Sequence, residues 1–319
     1  MTIRRLSLDQ LQPLQELYYH MAGNDADLEA QLDAVGIVQP LIGVHTADGV
    51  GLLDGFRRYE WLARQEPRKV LVQVFPKGQM GRAFVSALSV NHWTRPLSIV
   101  EKARALRLAR AHLGDEVGEE AARLLEVPPV RKIRQLLAWI DQLPAPARRW
   151  LHSARCSVRQ VERLRAVKIL ESPCWLEAAE SLNLKAQEFV NLAEQLWEIA
   201  LRDGSSLDQL YQKLGVDALL GDRRTVQQKQ QTLKQRIEET RFPLLKAIQQ
   251  NVQQQLQQLP RPTGQTIRFT WDPTLERTGV GLQTWIASEA DLERLQKLLG
   301  DWKFRSSLKQ VLKNIQQIG

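Results

Sequence analysis

The stretch Gly55-Phe56-Arg57-Arg58 contains the residues of this sequence whose types and spacing most directly suggest binding chemistry. It follows the apolar run 50–53, and the pattern predicts a strand, a tight turn and then a helix. The first N–H groups of a helix have no intrahelical acceptor, and two arginines beside them add positive charge. The stretch therefore predicts an anion site at a helix start, with a solvated surface pair as the alternative.

Positive charge is concentrated in one part of the 319-residue chain. The net charge is +8, and between Pro129 and Lys168 ten basic residues stand against two acidic ones, an excess as large as that of the whole protein. Such a segment within a helical pattern is typical of a protein that binds a polyanion. A solvated helical face is the simpler alternative.

Other features exclude several classes of protein. The sequence has no apolar run of about 18 residues and no apolar leader, so we expect a cytoplasmic protein without membrane association. Cys156 and Cys174 have no metal-ligand spacing, and the five histidines form no HxxxH pair. We expect reduced thiols and no protein-held metal site.

The first 78 residues read as a compact α/β unit. Its predicted elements are, in order, a strand at 3–8, a helix at 25–36 ended by Gly36, a hairpin at 40–54, a helix at 56–65 and a buried strand at 69–75. From Gly81 onwards the sequence pattern predicts helices. Ser98 with Glu101 forms a capping box, Pro128-Pro129 separates two short helices, and Ser157 is a second N-cap.

The last hundred residues change in composition. The Gln-rich segment 223–259 has apolar residues at spacings of three and four, which predict a coiled-coil seam or a helical hairpin broken at Pro243. A turn or linker at 261–264, two strands and two helices follow. The expected fold class is α+β, divided into an α/β domain at 1–95, a helical domain at 96–222, a Gln-rich helix or hairpin at 223–260 and a small α/β domain at 261–319.

Four segments occur in an order that resembles a known family. They are 28–44, 52–65, 88–109 and 142–164, and together they resemble the N-terminal domain of ParB-family partition proteins and the helix-turn-helix-like region after it. That domain shares a fold with sulfiredoxin. The resemblance covers roughly residues 1–170 and implies a DNA-binding protein of plasmid or chromosome partition or regulation, associated with the nucleoid.

The resemblance implies a site for CTP with Mg²⁺. Gly55, Arg57 and Arg58 would contact the phosphates, and Asn91 would be the polar partner in the second segment, with Thr94 and Arg95 beside it. Three features depart from the family pattern. Val90 replaces the glutamate near the metal, Thr94 stands at the arginine position with Arg95 one residue late, and 11–19 lacks the family's arginine. Trp93 beside Asn91 could line or block the pocket.

The departures favour nucleotide binding over hydrolysis, so we expect a weak CTPase at most and assign no catalytic residue. Sulfiredoxin chemistry is excluded because it needs a cysteine in the turn, where Phe56 and Arg57 stand. Asp54 or Glu60 could serve as a base in an enzyme of this fold. A turn role for Asp54 and a helix-surface role for Glu60 are the simpler explanations.

The helix-turn-helix candidate is 118–140, with Arg131, Lys132 and Arg134 at the start of its second helix. These side chains predict contacts with DNA phosphates more than with bases, since the helix has few Asn, Gln or Ser residues. Arg155, Arg159 and Arg163 recur every four residues and predict a stripe on one helix face that also contacts the DNA backbone.

The resemblance implies duplex DNA as a partner, a homodimer formed through 223–259 and the C-terminal domain, and a partition ATPase as a further candidate partner. Two other functions stay open. One is a diverged nucleotide-binding enzyme or regulator that does not recognise an operator. The other is a structural adaptor whose helices bind a protein.

Overall fold

The computed structural model describes residues 1–21, 26–65, 69–260, 266–272 and 279–316. The chain is mixed α+β and forms two compact units, Met1–Lys234 and Gln235–Gly319. The predicted boundaries at 95 and 222 both lie inside the first unit, and the predicted segment 223–260 is shared between the two units. The predicted linker at 261–264 lies outside the described residues.

The first unit begins with a five-stranded sheet and three helices. In chain order these are β1 (Thr2–Ser7), β2 (Leu11–Pro13), α1 (Ala26–Val35), β3 (Leu41–His45), β4 (Val50–Asp54), α2 (Phe56–Ala63), β5 (Lys69–Phe75) and α3 (Met80–Thr94). The predicted strands, the hairpin and both early helices are confirmed. The start of the first predicted helix, at residue 25, lies outside the described residues, and the short strand β2 was not predicted.

The sheet has the order β1-β5-β3-β4-β2. The β3–β4 hairpin is antiparallel, β5 runs parallel to β3, and β2 runs parallel to β4. Alternate residues of the central strands share one face, and the aliphatic side chains of Leu41, Leu52 and Val72 are fully buried there. This core holds the end of β4, and therefore the Gly55 turn, in a fixed position.

The rest of the first unit is helical. Its elements are α4 (Ile99–Leu108), α5 (Asp115–Leu124), α6 (Arg131–Gln142), α7 (Ala145–Ser153), α8 (Val158–Ala166), α9 (Pro173–Ser181), α10 (Ala186–Asp203), α11 (Leu207–Lys213) and α12 (Val216–Leu220). The capping boxes at Ser98 and Ser157 are both confirmed. A π-helical turn at Ala109–Leu113 continues α4, which was not predicted.

The helices pack around large aromatic side chains. Trp150 and Trp175 are almost completely buried, and the Trp150 ring lies 4.6 Å from that of Phe189. Apolar helix positions predict core packing for Trp139, Trp150, Trp175 and Trp197. Trp150 and Trp175 are core residues, whereas Trp139 and Trp197 are only half-buried. Trp93, in contrast, is 77% exposed. Among the described residues, no helix is both long and apolar enough to cross a bilayer.

The helix α13 (Val226–Arg241) extends from the first unit into the second, and α14 (Pro243–Gln257) begins at the predicted break. The second unit continues with a β6–β7 hairpin (Ile267–Trp271 and Val280–Thr284), followed by α15 (Glu289–Gly300) and α16 (Trp302–Gln316). Its small core contains Val252, Phe304 and Val311. The two strands and two final helices of the prediction are confirmed over the described residues.

Candidate functional site

A cavity of about 580 Å³ lies at the start of α2, where the sequence predicts an anion site. Its walls come from 18–21, α1, the chain after α1, the β4–α2 turn, the end of α3, and the α7–α8 region. The predicted ligand residues Gly55, Arg57, Arg58, Asn91 and Arg95 all line it. Elements that are more than a hundred residues apart in sequence thus meet at one place.

Gly55 is required by the geometry of the turn. It is the N-cap of α2 and has φ of 90°, a left-handed conformation that L side chains rarely adopt. A Cβ atom at this position would also collide with Leu41 Cδ2 and come within 3.2 Å of Arg58 Nη2. The glycine therefore permits the backbone to turn directly into a helix whose N–H groups border the cavity.

Arg58 holds the turn together. Its Nη2 donates to Asp54 Oδ2 at 2.9 Å, and its Nη1 donates to the Gln39 carbonyl at 2.6 Å. The side chain is mostly buried. Because its donors are engaged with protein acceptors, Arg58 shapes the wall of the cavity, whereas Arg57 lies half-buried one residue earlier on the same wall.

Asn91 joins α3 to the same turn. Its Nδ2 lies 2.8 Å from Asp54 Oδ1 and 2.9 Å from the hydroxyl oxygen of Tyr19. Burial, together with the charge of Asp54, raises the pKa of Tyr19, so this hydroxyl stays protonated. Asn91 is therefore a connecting residue between three chain segments, a role that its type alone does not reveal.

Arg95 belongs to a buried ionic cluster with Glu101. Its Nη2 donates to Glu101 Oε1 at 2.7 Å and lies 3.0 Å from His20 Nδ1. Glu101 is completely buried. Burial opposes its ionisation, but hydrogen bonds from His20, Arg95 and the Ser98 N–H prevail and hold the pKa of Glu101 well below its usual range.

His152 connects this cluster to α7. Its Nδ1 lies 2.8 Å from Ser98 Oγ and 3.7 Å from Glu101 Oε2. Burial lowers the pKa of His152, although the charge of Glu101 opposes the shift. Ser98 and Glu101 both approach the same ring nitrogen, so the three side chains do not have the relay geometry of a nucleophilic triad.

Arg155 also lines the cavity, although the sequence assigns it to a DNA-binding stripe. It precedes α8 with φ of 52°, and its Nη1 donates to the Pro96 carbonyl at 2.7 Å. The predicted stripe of Arg155, Arg159 and Arg163 is therefore wrong as a single helix face. The capping box of Ser157 starts the helix after Arg155, which turns this side chain towards the cavity instead.

Thr94 and Trp93 do not line the cavity. The Thr94 hydroxyl donates to the Val90 carbonyl at 2.8 Å, within its own helix, and the exposed Trp93 ring lies outside the cavity walls. The expectation that Trp93 lines or blocks a pocket is therefore wrong. At the end of α3, only Asn91 and the following Arg95 face inwards.

The other five predicted DNA-binding residues fall into two groups. Arg134 forms a two-point ion pair with Glu119 at 2.6 and 2.7 Å, and Arg163 forms a similar pair with Glu194. The hydrogen bonds to Glu194 raise the pKa of Arg163. These arginines connect helices to one another, a role that helical spacing does not distinguish from a surface role.

The second group is exposed. Arg131 begins α6 and Arg159 lies in the first turn of α8, and neither has an ion pair among the described residues. Lys132 is 79% exposed and lies 2.9 Å from Glu162. Of the six predicted DNA-binding residues, these three remain accessible to a large ligand on the α6–α8 side.

Sequence reasoning missed several residues of the site. His20, Tyr19 and His152 come from distant segments, and no spacing signal relates them to Arg95 or Asp54. Glu101 was recognised as a capping residue, which is confirmed, but its second role as the partner of Arg95 was not. An acidic residue at an otherwise apolar helix face was the available signal for Glu101.

No protein-family model matches the chain, and no curated protein sequence matches it. Among solved structures, the chain is similar to C-terminally truncated ParB, the chromosome-partitioning protein of Caulobacter crescentus. One structure, complexed to the centromeric parS site, has 16% identity and a TM-score of 0.36 and covers 60% of this chain and 98% of that one. A second structure, complexed with CTP-γ-S, has 17% identity and a TM-score of 0.26, and covers 54% of this chain and 95% of that one. With TM-scores this low, the similarities define neither a site nor a function for this chain.

Proposed function

We propose that the chain is a ParB-like protein that binds a nucleoside triphosphate in the cavity at the start of α2 and duplex DNA on its basic helices. CTP is the nucleotide that the sequence resemblance implies. One observation carries the nucleotide proposal: residues predicted from separate sequence segments to contact phosphate converge on one cavity of suitable size. A role in plasmid or chromosome partition or regulation, with association with the nucleoid, follows as part of the same proposal.

The phosphates are expected beside the β4–α2 turn. Gly55 brings the backbone close, the start of α2 supplies N–H donors, and Arg57 adds a guanidinium. Arg95 and Arg155 enter the same cavity from the helical region. The four lining arginines are balanced by two carboxylates, Asp54 and the buried Glu101 that pairs with Arg95. Two units of positive charge remain, which favours an anion.

The remaining wall suits a nucleobase. Leu28, Leu32 and Val38 provide apolar surface, and the amides of Gln31 and Gln39 provide donors and acceptors. Most ligand pockets combine apolar walls with a few polar groups in this way. A planar base with polar edges therefore fits beside α1 while the phosphates reach the arginines.

The described residues of the cavity do not form a protein-held Mg²⁺ site. Among the described residues, no group of three acidic, histidine or cysteine side chains is arranged to hold a metal. Asp54, the carboxylate at the cavity, already accepts hydrogen bonds from Arg58 and Asn91. The donor set of the described residues thus fits the phosphates themselves.

The test is a thermal-shift panel of CTP, ATP, GTP and UTP, each with Mg²⁺, on the full chain. At a hundred times its dissociation constant, one nucleotide should stabilise the fold by about 2.7 kcal/mol. Arg57→Gln should lose that shift, whereas Arg159→Gln, on an exposed position away from the cavity, should keep it. The absence of a shift for every nucleotide would exclude the proposed site.

DNA binding is proposed for Arg131, Lys132 and Arg159. Contacts with phosphates release counterions, so the logarithm of the association constant should fall linearly with the logarithm of the salt concentration. Each contact should add roughly 0.9 to the magnitude of this slope. Anisotropy titrations of a labelled duplex would measure this slope. Arg131→Gln and Arg159→Gln should each reduce it by about 1, whereas Arg163→Gln should change it less, because that side chain is paired with Glu194.

A second candidate is a nucleotide-binding regulator that does not recognise an operator. The observation that favours it is the bond of Arg134 to Glu119, which removes one of the three DNA contacts predicted for α6. Nucleotide stabilisation without salt-dependent DNA binding would support this candidate.

The proposed homodimer, expected from 223–259 and the C-terminal domain, is tested by light scattering of the full chain. The proposed partition ATPase partner is tested by co-sedimentation with the full chain.

A further inference from the structure

A second cavity of about 400 Å³ lies among α4, its π-helical turn, α5 and α6. Its floor is apolar, formed by the buried side chains of Ala103, Leu106, Ala122 and Leu137. Protein interiors are normally filled to the density of organic crystals. Two alanines on facing helices leave this space open, at a volume within the roughly 300–1,000 Å³ typical of small-molecule sites.

The rim of this cavity is positively charged. Arg107, Arg110 and Arg134 line it, and their carboxylate partners are Asp141 and Glu119. Three guanidinium groups thus face two carboxylates, which leaves one unit of positive charge.

The rim arginines also retain unused hydrogen-bond donors. Arg134 Nε is buried and has no acceptor among the described residues. In the described part of the chain, Arg107 donates a hydrogen bond only from its Nε, to Asp141. The Nη1 and Nη2 groups of Arg107 can therefore donate to an additional anionic oxygen without giving up the ion pair with Asp141.

Two backbone features hold the rim in place. The π-helical turn Ala109–Leu113 widens the end of α4 and brings Arg110 and Ala111 to the cavity. Single π-turns are rare and are frequently found at functional sites. Gly118 of α5 allows Arg110 to cross that helix closely, since a Cβ atom there would collide with Arg110 Cγ.

We propose that this cavity binds a small molecule with an apolar body and one carboxylate group. The body occupies the alanine and leucine floor, and the carboxylate accepts hydrogen bonds from Arg107 at the rim, beside the guanidinium groups of Arg110 and Arg134. The site is separate from the nucleotide cavity and lies between the two helices of the helix-turn-helix-like region. It does not depend on the proposed nucleotide or DNA functions.

The test uses 2-naphthoate as the probe, titrated into the full chain by calorimetry, and 2-naphthalenemethanol as a neutral analogue with the same ring system. We expect saturable binding of the carboxylate and at least tenfold weaker binding of the alcohol. Ala138→Trp should block the mouth of the cavity, because Ala138 is an exposed lining residue. Gln135→Trp is the matched control, since it is exposed on the same helix but does not line the cavity.

Ala138→Trp should weaken 2-naphthoate binding at least tenfold, and Gln135→Trp should leave it unchanged, with both variants folded by circular dichroism. The proposal is overturned if the wild-type chain does not bind the probe, if the alcohol binds equally well, or if the two variants behave alike. Probe binding that CTP displaces, and that Ala138→Trp leaves intact, would place the probe in the other cavity. A dimer that Ala138→Trp dissociates, without probe binding, would identify the occupant as a side chain of a second copy.

Discussion

Arg155, which lines the cavity at the start of α2, and Arg163 of α8 have the same residue type but different surroundings. Arg155 uses one donor on the Pro96 carbonyl and lines an open cavity, whereas Arg163 is held by both oxygens of Glu194. The first arrangement leaves donors for a ligand, and the second connects two helices. A cluster of basic residues in a sequence can therefore contain side chains with donors left for a ligand and side chains that connect helices, and their acceptors distinguish the two.

Gly55→Ala should have the largest effect on the cavity side of this comparison. The substitution combines an unfavourable φ with a collision at Leu41, so we expect a loss of about 3 kcal/mol in unfolding free energy and of nucleotide binding. Gly204→Ala is the control, because Gly204 has a φ of 62° but open space around it. It should cost about 1 kcal/mol in urea unfolding. Equal costs would show that the contact with Leu41 is unimportant.

Glu101→Ala should break the ionic cluster beneath the cavity. Removing a buried carboxylate leaves Arg95 and His20 without their acceptor, which should cost on the order of 3 kcal/mol. Because the folded pKa of Glu101 is depressed, its contribution is fully present above its ordinary pKa and is lost as the pH falls below it. Urea unfolding at pH 7 and pH 4 should show a smaller difference between the variant and the wild type at the lower pH.

Arg155→Gln and Arg159→Gln directly separate the two regions. A hydrogen bond to a charged group contributes roughly 1.5–3 kcal/mol, so Arg155→Gln should weaken nucleotide binding about tenfold or more. Its effect on the salt slope of DNA binding should be small. Arg159→Gln should show the reverse pattern. If Arg155→Gln lowers only the DNA slope, the side chain belongs to the DNA surface, as the sequence spacing predicts.

His152→Gln should have the smallest effect on stability, and that effect should depend on pH. Burial lowers the folded pKa of His152, so the neutral ring stabilises the fold at pH values above the ordinary histidine pKa. This stabilisation is lost as the pH falls from the ordinary pKa through the lowered pKa of the folded state. The wild type should lose stability between about pH 7 and pH 5.5, and the variant should lose less. Parallel losses in both proteins would assign the titration to another group.

Much of the fold could be predicted because local signals and tertiary packing agree. The β3–β4 hairpin, the caps at Ser98 and Ser157 and the break at Pro243 are encoded by neighbouring residues. The strand β2 could not be predicted, because three residues ending in Pro13 carry no periodic signal and pair with β4 only through the tertiary fold.

The candidate site was predictable only in part. Five residues predicted from two motifs, 55–58 and 91–95, do meet at the cavity. Each motif is a short continuous stretch of sequence. Arg155 was misplaced because a four-residue spacing was interpreted as a helix face, although the Ser157 cap begins the helix two residues later. The His20–Glu101 contact spans about eighty residues, so no local pattern could indicate it.

The two edges of the five-stranded sheet have a consequence for crowded conditions. One edge is β2, which is only three residues long and ends in Pro13, and the other is β1, where Arg4 and Arg5 are exposed. Short strands, proline and charge all oppose the addition of a further strand. Copies of this chain gathered at high local concentration should therefore remain separate at their sheets and resist growth into an extended β-aggregate.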